Sequence, residues 1–133
     1  MTSNVFTYGS LMFPEVWQRV VSGRYRSASA VVEHHVRLAI RGETYPGMIE
    51  RAGCRVTGVV YYEVDPQDVA CLDHFEGGEY RRASLVALAE EIEIPVEAYL
   101  FEATQRLLET DWQPETFQMQ RFLDSYCRDK LGD

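Results

Sequence analysis

The feature that most constrains this chain is a strand-like run near the N-terminus that ends abruptly in a glycine. Residues 5–8 are β-branched or aromatic, and such residues favour a pleated, half-buried strand. Gly9 follows and has no Cβ, so the backbone can turn sharply there or approach another group closely. Because N–H groups that leave a strand lose their ladder partners, the amides of Gly9, Ser10 and Leu11 can hold a carboxylate or an oxyanion. Taken alone, the run is explained more simply as a first strand followed by an ordinary turn.

Hydrophobic residues in the rest of the chain recur with two different periods. Alternation of apolar and polar residues, together with β-branched composition, predicts strands over residues 28–40, 56–64, 80–91 and 92–101. Helical periodicity predicts helices over residues 13–21 and 65–76, a short helical segment over 105–110, and a last helix that Pro114 and Glu115 begin. The apolar stripe of that last helix, which we expect to pack on the sheet, consists of Met119, Phe122, Leu123 and Tyr126.

Glu76 stands out because its helical phase places a carboxylate among apolar residues. The predicted helix has Asp65 as its N-cap and ends before Gly77, and Glu76 falls between Val69 and Leu72 in projection. A helix C-terminus also disfavours negative charge. Three interpretations are open at this point. The helix ends earlier and leaves Glu76 exposed, Glu76 forms a structural ion pair with Arg81 or Arg82, or Glu76 is a buried functional acid or base.

Composition and the motifs that are missing limit the class of function. The formal charge is −8, which argues against nucleic acid or an anionic membrane as a partner but permits a small anion. Three widely spaced cysteines and an N-terminus without a signal-peptide pattern predict a cytoplasmic protein, and 133 residues fit one domain spanning 1–133. No metal-ligand cluster, phosphate-binding loop, dinucleotide fingerprint or Gly-x-Ser-x-Gly elbow occurs in the sequence. An enzymatic interpretation is thereby narrowed to acid–base chemistry without a metal or cofactor.

Four motifs in this order resemble the γ-glutamylcyclotransferase-like superfamily, and most closely its AIG2-like branch. They are Tyr8-Gly9-Ser10-Leu11, Tyr45-Pro46-Gly47, the strand from Val56 to Tyr61, and the segment from Leu72 to Arg82, which contains Glu76-Gly77. The resemblance extends from Val5 to about Tyr99. It implies an α+β fold: a small mixed, mostly antiparallel, β-barrel-like sheet with flanking helices and a cavity at one end.

The resemblance also implies a reaction and a set of site residues. In that family the α-amine of a γ-glutamyl group attacks its own γ-carbonyl, which releases 5-oxoproline and an amine or amino acid. Glu76 matches the catalytic glutamate, and we expect it to carry the proton between the two nitrogens. The substrate-binding residues expected from the match are Tyr8, Gly9, Ser10, Leu11, Tyr45 and Tyr80.

Two other functions are compatible with the same residues. A non-catalytic module could bind a small molecule in the cavity, and a partner-binding protein could retain only a vestigial pocket. Turnover of γ-glutamyl compounds separates the enzyme from both. The sequence does not reveal which amine or amino acid is released, nor does it reveal the oligomeric state.

Overall fold

The computed structural model describes residues 1–131, which form six strands and several helical segments. The strands are β1 (Ser3–Thr7), β2 (Ser27–Ile40), β3 (Pro46–Val64), β4 (Tyr80–Ala89), β5 (Ile92–Phe101) and β6 (Leu107–Asp111). The helices are α1 (Pro14–Val20), α2 (Pro66–Glu76), α3 (Met119–Phe122) and α4 (Arg128–Leu131). A π-helical turn over Leu123–Cys127 joins α3 to α4, so residues 119–131 form one continuous segment, which we call the C-terminal helix.

The first five strands close into a barrel. The strand order is β3-β1-β5-β4-β2-β6, and an additional pairing between β2 and β3 joins the two sides of the five-stranded part. All pairings are antiparallel except the one between β1 and β5. The sixth strand adds to β2 outside the closed ring. The predicted α+β fold with a mostly antiparallel, barrel-like sheet is confirmed.

Strand β1 lies inside the sheet, and a glycine on its neighbour permits the close approach. Val5 pairs with Tyr61 of β3 on one side and with Glu97 of β5 on the other. A Cβ built on Gly58 would collide with the carbonyl oxygen of Thr7, so only glycine fits at this position of β3. The tight packing fixes the end of β1, where the chain leaves the strand at Tyr8.

The larger of the two clusters of buried residues joins the helices to the strands of the barrel. Trp17 of α1 is 4% exposed and stacks on Tyr61, with ring centroids 3.7 Å apart and planes 4° from parallel. On α2, Val69, Leu72 and Phe75 are buried in the same cluster, as their periodicity predicted. Asp65 caps this helix by accepting a hydrogen bond from the Asp68 amide at 2.8 Å.

Three segments differ from their prediction. Strand β3 begins at Pro46 and not at residue 56. It contains a bulge: Glu33 pairs with Arg55 and His35 pairs with Glu50, so the four residues 51–54 of β3 lie opposite the single residue His34 of β2. Residues 105–110 are mostly strand β6, since pairing with β2 overrides their helical composition. Residues 114–116 form only a 3₁₀ turn, and the last helix starts at Met119.

The apolar stripe of the C-terminal helix packs on the domain as predicted. Phe122 is 1% exposed, and Met119, Leu123 and Tyr126 are partly buried against the same core. Among the described residues 1–131, no helix is both long and apolar enough to cross a membrane.

Candidate active site

A narrow cavity lies at the end of β1, beneath α2 and the C-terminal helix. All seven residues predicted for the site line it: Tyr8, Gly9, Ser10, Leu11, Tyr45, Glu76 and Tyr80. They come from four separate parts of the chain, which the barrel and α2 bring together. Their functional roles stay predictions.

Glu76 is the last residue of α2, and its side chain lines the cavity. Gly77 ends the helix in the left-handed region, with φ 80°, a conformation that suits glycine and turns the chain away. Arg81 pairs with Glu102 at 3.3 Å, and Arg82 pairs with Asp73 at 3.0 Å. The hypothesis of an ion pair between Glu76 and either arginine is therefore wrong.

The surroundings of Glu76 favour its neutral form. Burial is the largest effect and raises the pKa of the carboxyl to about 8, Lys130 opposes the increase, and Asp73 adds to it. The interpretation in which the helix ends earlier and leaves Glu76 exposed is also wrong, since α2 extends to Glu76 and the half-buried side chain lines the cavity. A carboxyl with a pKa near neutrality can both accept and donate a proton at physiological pH.

Tyr8 and Tyr80, two of the tyrosines around the cavity, remain neutral and bind backbone carbonyls. The Tyr8 hydroxyl donates to the carbonyl oxygen of Tyr99 at 2.5 Å, and the Tyr80 hydroxyl donates to that of Pro46 at 2.9 Å. Burial raises the pKa of Tyr8 and Tyr80 well above the ordinary value and raises that of Tyr45 to about 12. These rings shape the cavity, and among the residues lining it Glu76 is the group that titrates near neutral pH.

The loop after β1 is held in place from both sides. Residues Ser10–Met12 form a 3₁₀ turn, and a Cβ built on Gly9 would lie 2.7 Å from Cδ of Pro46. On the other side, the Arg37 guanidinium donates to the carbonyl oxygen of Tyr8 at 2.9 Å. The N–H and C=O of a trans peptide point in opposite directions, so this bond turns the N–H of Gly9 away from Arg37. This contact of Arg37 could not be predicted from the sequence.

Comparison with known proteins identifies the family. Residues 5–114 match the sequence model of the family described as "Gamma-glutamyl cyclotransferase, AIG2-like". The chain belongs to this family. AIG2-like protein D of Arabidopsis thaliana is 33% identical over 85 residues, which is 64% of this chain and 56% of that protein. AIG2-like protein C of the same plant is 31% identical over 100 residues, which is 74% of this chain and 58% of that protein. The match thus spans less than two thirds of either relative.

Solved structures share the AIG2-like fold. A solution structure of an Arabidopsis thaliana protein superimposes with a TM-score of 0.74 at 21% identity, covering 97% of this chain and 82% of that one. A structure described as gamma-glutamyl cyclotransferase gives 0.64 at 22% identity, covering 76% and 67% respectively. An AIG2-like protein from Mus musculus gives 0.58 at 26% identity, covering 74% and 76%.

Several residues that line the cavity of this AIG2-like chain were not predicted. Phe75, Tyr99, Phe122 and Tyr126 complete its wall. Phe75 and Phe122 belong to apolar stripes and could not be told from core residues by periodicity. Tyr126 offered a weak signal, since a hydroxyl within an apolar stripe needs a partner. In the structure this hydroxyl donates to the carbonyl oxygens of Phe75 at 2.7 Å and Glu76 at 3.0 Å.

Among residues 1–131, no group of three or more potential metal ligands lies close enough together to bind a metal ion.

Proposed function

We propose that this AIG2-like protein converts γ-glutamyl compounds to 5-oxoproline. The α-amine nitrogen of the γ-glutamyl group bonds to its own γ-carbonyl carbon, and the amide bond to the leaving nitrogen breaks. One proton moves from the attacking nitrogen to the leaving nitrogen, so the reaction consumes no water. The products are 5-oxoproline and a free amine or amino acid.

The observation that carries the proposal is a single carboxyl with a pKa of about 8 facing an aromatic cavity. The reaction needs one group that takes a proton from the α-amine and returns it to the leaving nitrogen. Glu76 is the only carboxyl among the residues that line the described cavity. Its raised pKa lets it hold the proton between the two transfers.

The loop after β1 can bind the negative charge that the substrate carries or that develops during the reaction. Attack on the γ-carbonyl produces an oxyanion, and the substrate also carries an α-carboxylate. Backbone amides of Gly9, Ser10 and Leu11, in a loop held by Arg37 and Pro46, can donate to one of these negative charges. We therefore propose that the loop binds the substrate through these backbone amides. The Ser10 hydroxyl does not act as a nucleophile in this proposal.

The aromatic walls suit a reaction that depends on substrate conformation. Ring closure requires the γ-glutamyl chain to fold back on itself, and a narrow cavity restricts the conformers that fit. Rings from Tyr8, Tyr45, Tyr80 and Tyr99 form the walls that impose this restriction.

The test is release of 5-oxoproline from a panel of γ-glutamyl compounds, measured by liquid chromatography and mass spectrometry. The panel contains γ-glutamyl dipeptides, γ-glutamyl amines and γ-glutamyl-ε-lysine. Release from at least one compound, lost in the Glu76→Gln variant, is the expected result. Saturable binding of these compounds without any release would favour the non-catalytic binding module instead.

A further inference from the structure

The C-terminal helix contributes to the cavity although it lies beyond the family match, which ends at residue 114. Phe122 and Tyr126 line the cavity and stack on each other, with ring centroids 5.0 Å apart and planes 13° from parallel. Tyr126 also meets the rings of Tyr45 and Phe75 edge-on, at 4.9 and 5.1 Å. One wall of the site is therefore supplied by a segment outside the shared sequence pattern.

Tyr126 ties this wall to the end of α2 that carries Glu76. Its hydroxyl donates to the carbonyl oxygens of Phe75 and Glu76, which lie in the last turn of α2. One turn further along the C-terminal helix stands Lys130. The packing that anchors Tyr126 therefore also sets where the Lys130 ammonium lies.

Lys130 reaches the residue that follows Glu76. A Cβ built on Gly77 would lie 2.5 Å from its Nζ, and the ammonium is 5.5 Å from the centroid of the Tyr126 ring. Another cation near the cavity, Arg106, is already paired with both Glu43 and Glu79. Lys130 forms no ion pair within residues 1–131, so its charge is available to a ligand.

We propose that Lys130 binds a carboxylate on the leaving group, and that the preferred substrates are γ-glutamyl amino acids or peptides and not γ-glutamyl amines. This inference rests on the proposed function. To return the proton, the Glu76 carboxyl must contact the leaving nitrogen. In a γ-glutamyl amino acid the leaving carboxylate is only two bonds from that nitrogen. A cation beside Gly77 therefore lies where such a carboxylate comes close, while the Gly9–Leu11 amides serve the other end of the substrate.

The test uses two substrates that differ only by this carboxylate, γ-glutamyl-alanine and γ-glutamyl-ethylamide. Wild type should have the higher kcat/KM on γ-glutamyl-alanine. Lys130→Met removes the charge and keeps most of the length of the side chain. It should lower kcat/KM for γ-glutamyl-alanine by about tenfold, a typical effect of one charged contact, and change that for γ-glutamyl-ethylamide less than about twofold. Arg128→Met is the matched control, because it removes the same charge from an exposed position of the same helix and should change neither value.

The ratio of the two substrates separates binding from other effects of Lys130. Loss of the ammonium also alters the electrostatics at Glu76, but that change affects both substrates alike and cancels in the ratio. Equal losses on both substrates, no loss on either, or a wild-type preference for γ-glutamyl-ethylamide would overturn the inference and leave the cyclisation intact. Failure of wild type to release 5-oxoproline from any γ-glutamyl compound would instead overturn the proposed function, and this inference with it.

Discussion

Replacement of Glu76 by Gln should raise stability while it abolishes activity. The carboxyl has a pKa of about 8 in the folded protein and of about 4.5 when it is exposed, so folding favours its protonated form. The stabilisation from this group is fully present below about pH 4.5 and is lost as pH rises towards 8. At pH 7, 2.5 pH units above the ordinary value, the loss is at most about 3.5 kcal/mol at roughly 1.4 kcal/mol per unit.

Gln keeps the size of the side chain and cannot ionise, so the variant escapes this loss. Its thermal midpoint at pH 7 should exceed that of wild type by up to roughly 10 °C, and the difference should disappear near pH 4.5. Since an amide cannot carry the proton, 5-oxoproline release should fall by at least about 10²–10⁴. Both quantities are measured on the same preparations, by scanning calorimetry between pH 4.5 and 8 and by product release at pH 7.

Glu102→Gln is the matched control, because it removes an exposed carboxylate of the same size that pairs with Arg81 outside the cavity. It should change activity and midpoint little. If Glu76→Gln melts earlier than wild type and retains its activity, Glu76 is a structural residue. A stability gap that does not shrink towards pH 4.5 would refute the assignment of a raised pKa.

Three further predictions test the loop, the C-terminal helix and the barrel. Ser10→Ala should lower turnover only modestly, because the backbone amides and not the hydroxyl are expected to hold the anion; complete loss of turnover with an intact fold would reverse that assignment. Phe122→Ala should lower the free energy of unfolding by roughly 3–5 kcal/mol, measured by urea titration, since the ring is 1% exposed; an unchanged midpoint would contradict its burial in the core. Gly58→Ala should destabilise the protein strongly, because its methyl group would collide with the Thr7 carbonyl; melting at the wild-type temperature would mean that β1 and β3 can separate without cost.

The helices and strands that could be predicted are those determined by residues close together in the sequence. The α2 helix could be bounded from Asp65, Pro66 and Gly77 because a cap, a first-turn proline and a terminating glycine act within a few residues. Strand β6 could not be predicted, since Leu107 to Asp111 is a strand only because β2 lies beside it. The same limit explains why β3 was predicted too short: Pro46 to Arg55 is shaped by its partner strand more than by its own composition.

The features of the site, like those of the fold, could be predicted only in part from the sequence. The helical phase of Glu76 indicated an inward carboxylate, but no pattern in one sequence could exclude an ion pair with Arg81 or Arg82. That required knowing that these arginines meet Glu102, Asp73 and Glu97. The wall formed by Phe122 and Tyr126 was predicted only as packing, because a residue that lines a narrow cavity and one that fills a core obey the same periodicity.

The position of β1 between β3 and β5 has a consequence for the order in which the protein folds during synthesis. β1 leaves the ribosome before its two partner strands, whose paired residues follow about 55 and 90 residues later in the chain. Until β5 has emerged, one edge of β1 has no native partner, and an unpaired apolar edge is prone to pair with other chains. Closing the ring must bring together ends that are far apart in sequence, which slows folding. The loop at Gly9 is thus made early and becomes ordered late, so premature termination before residue 101 should yield aggregation-prone fragments.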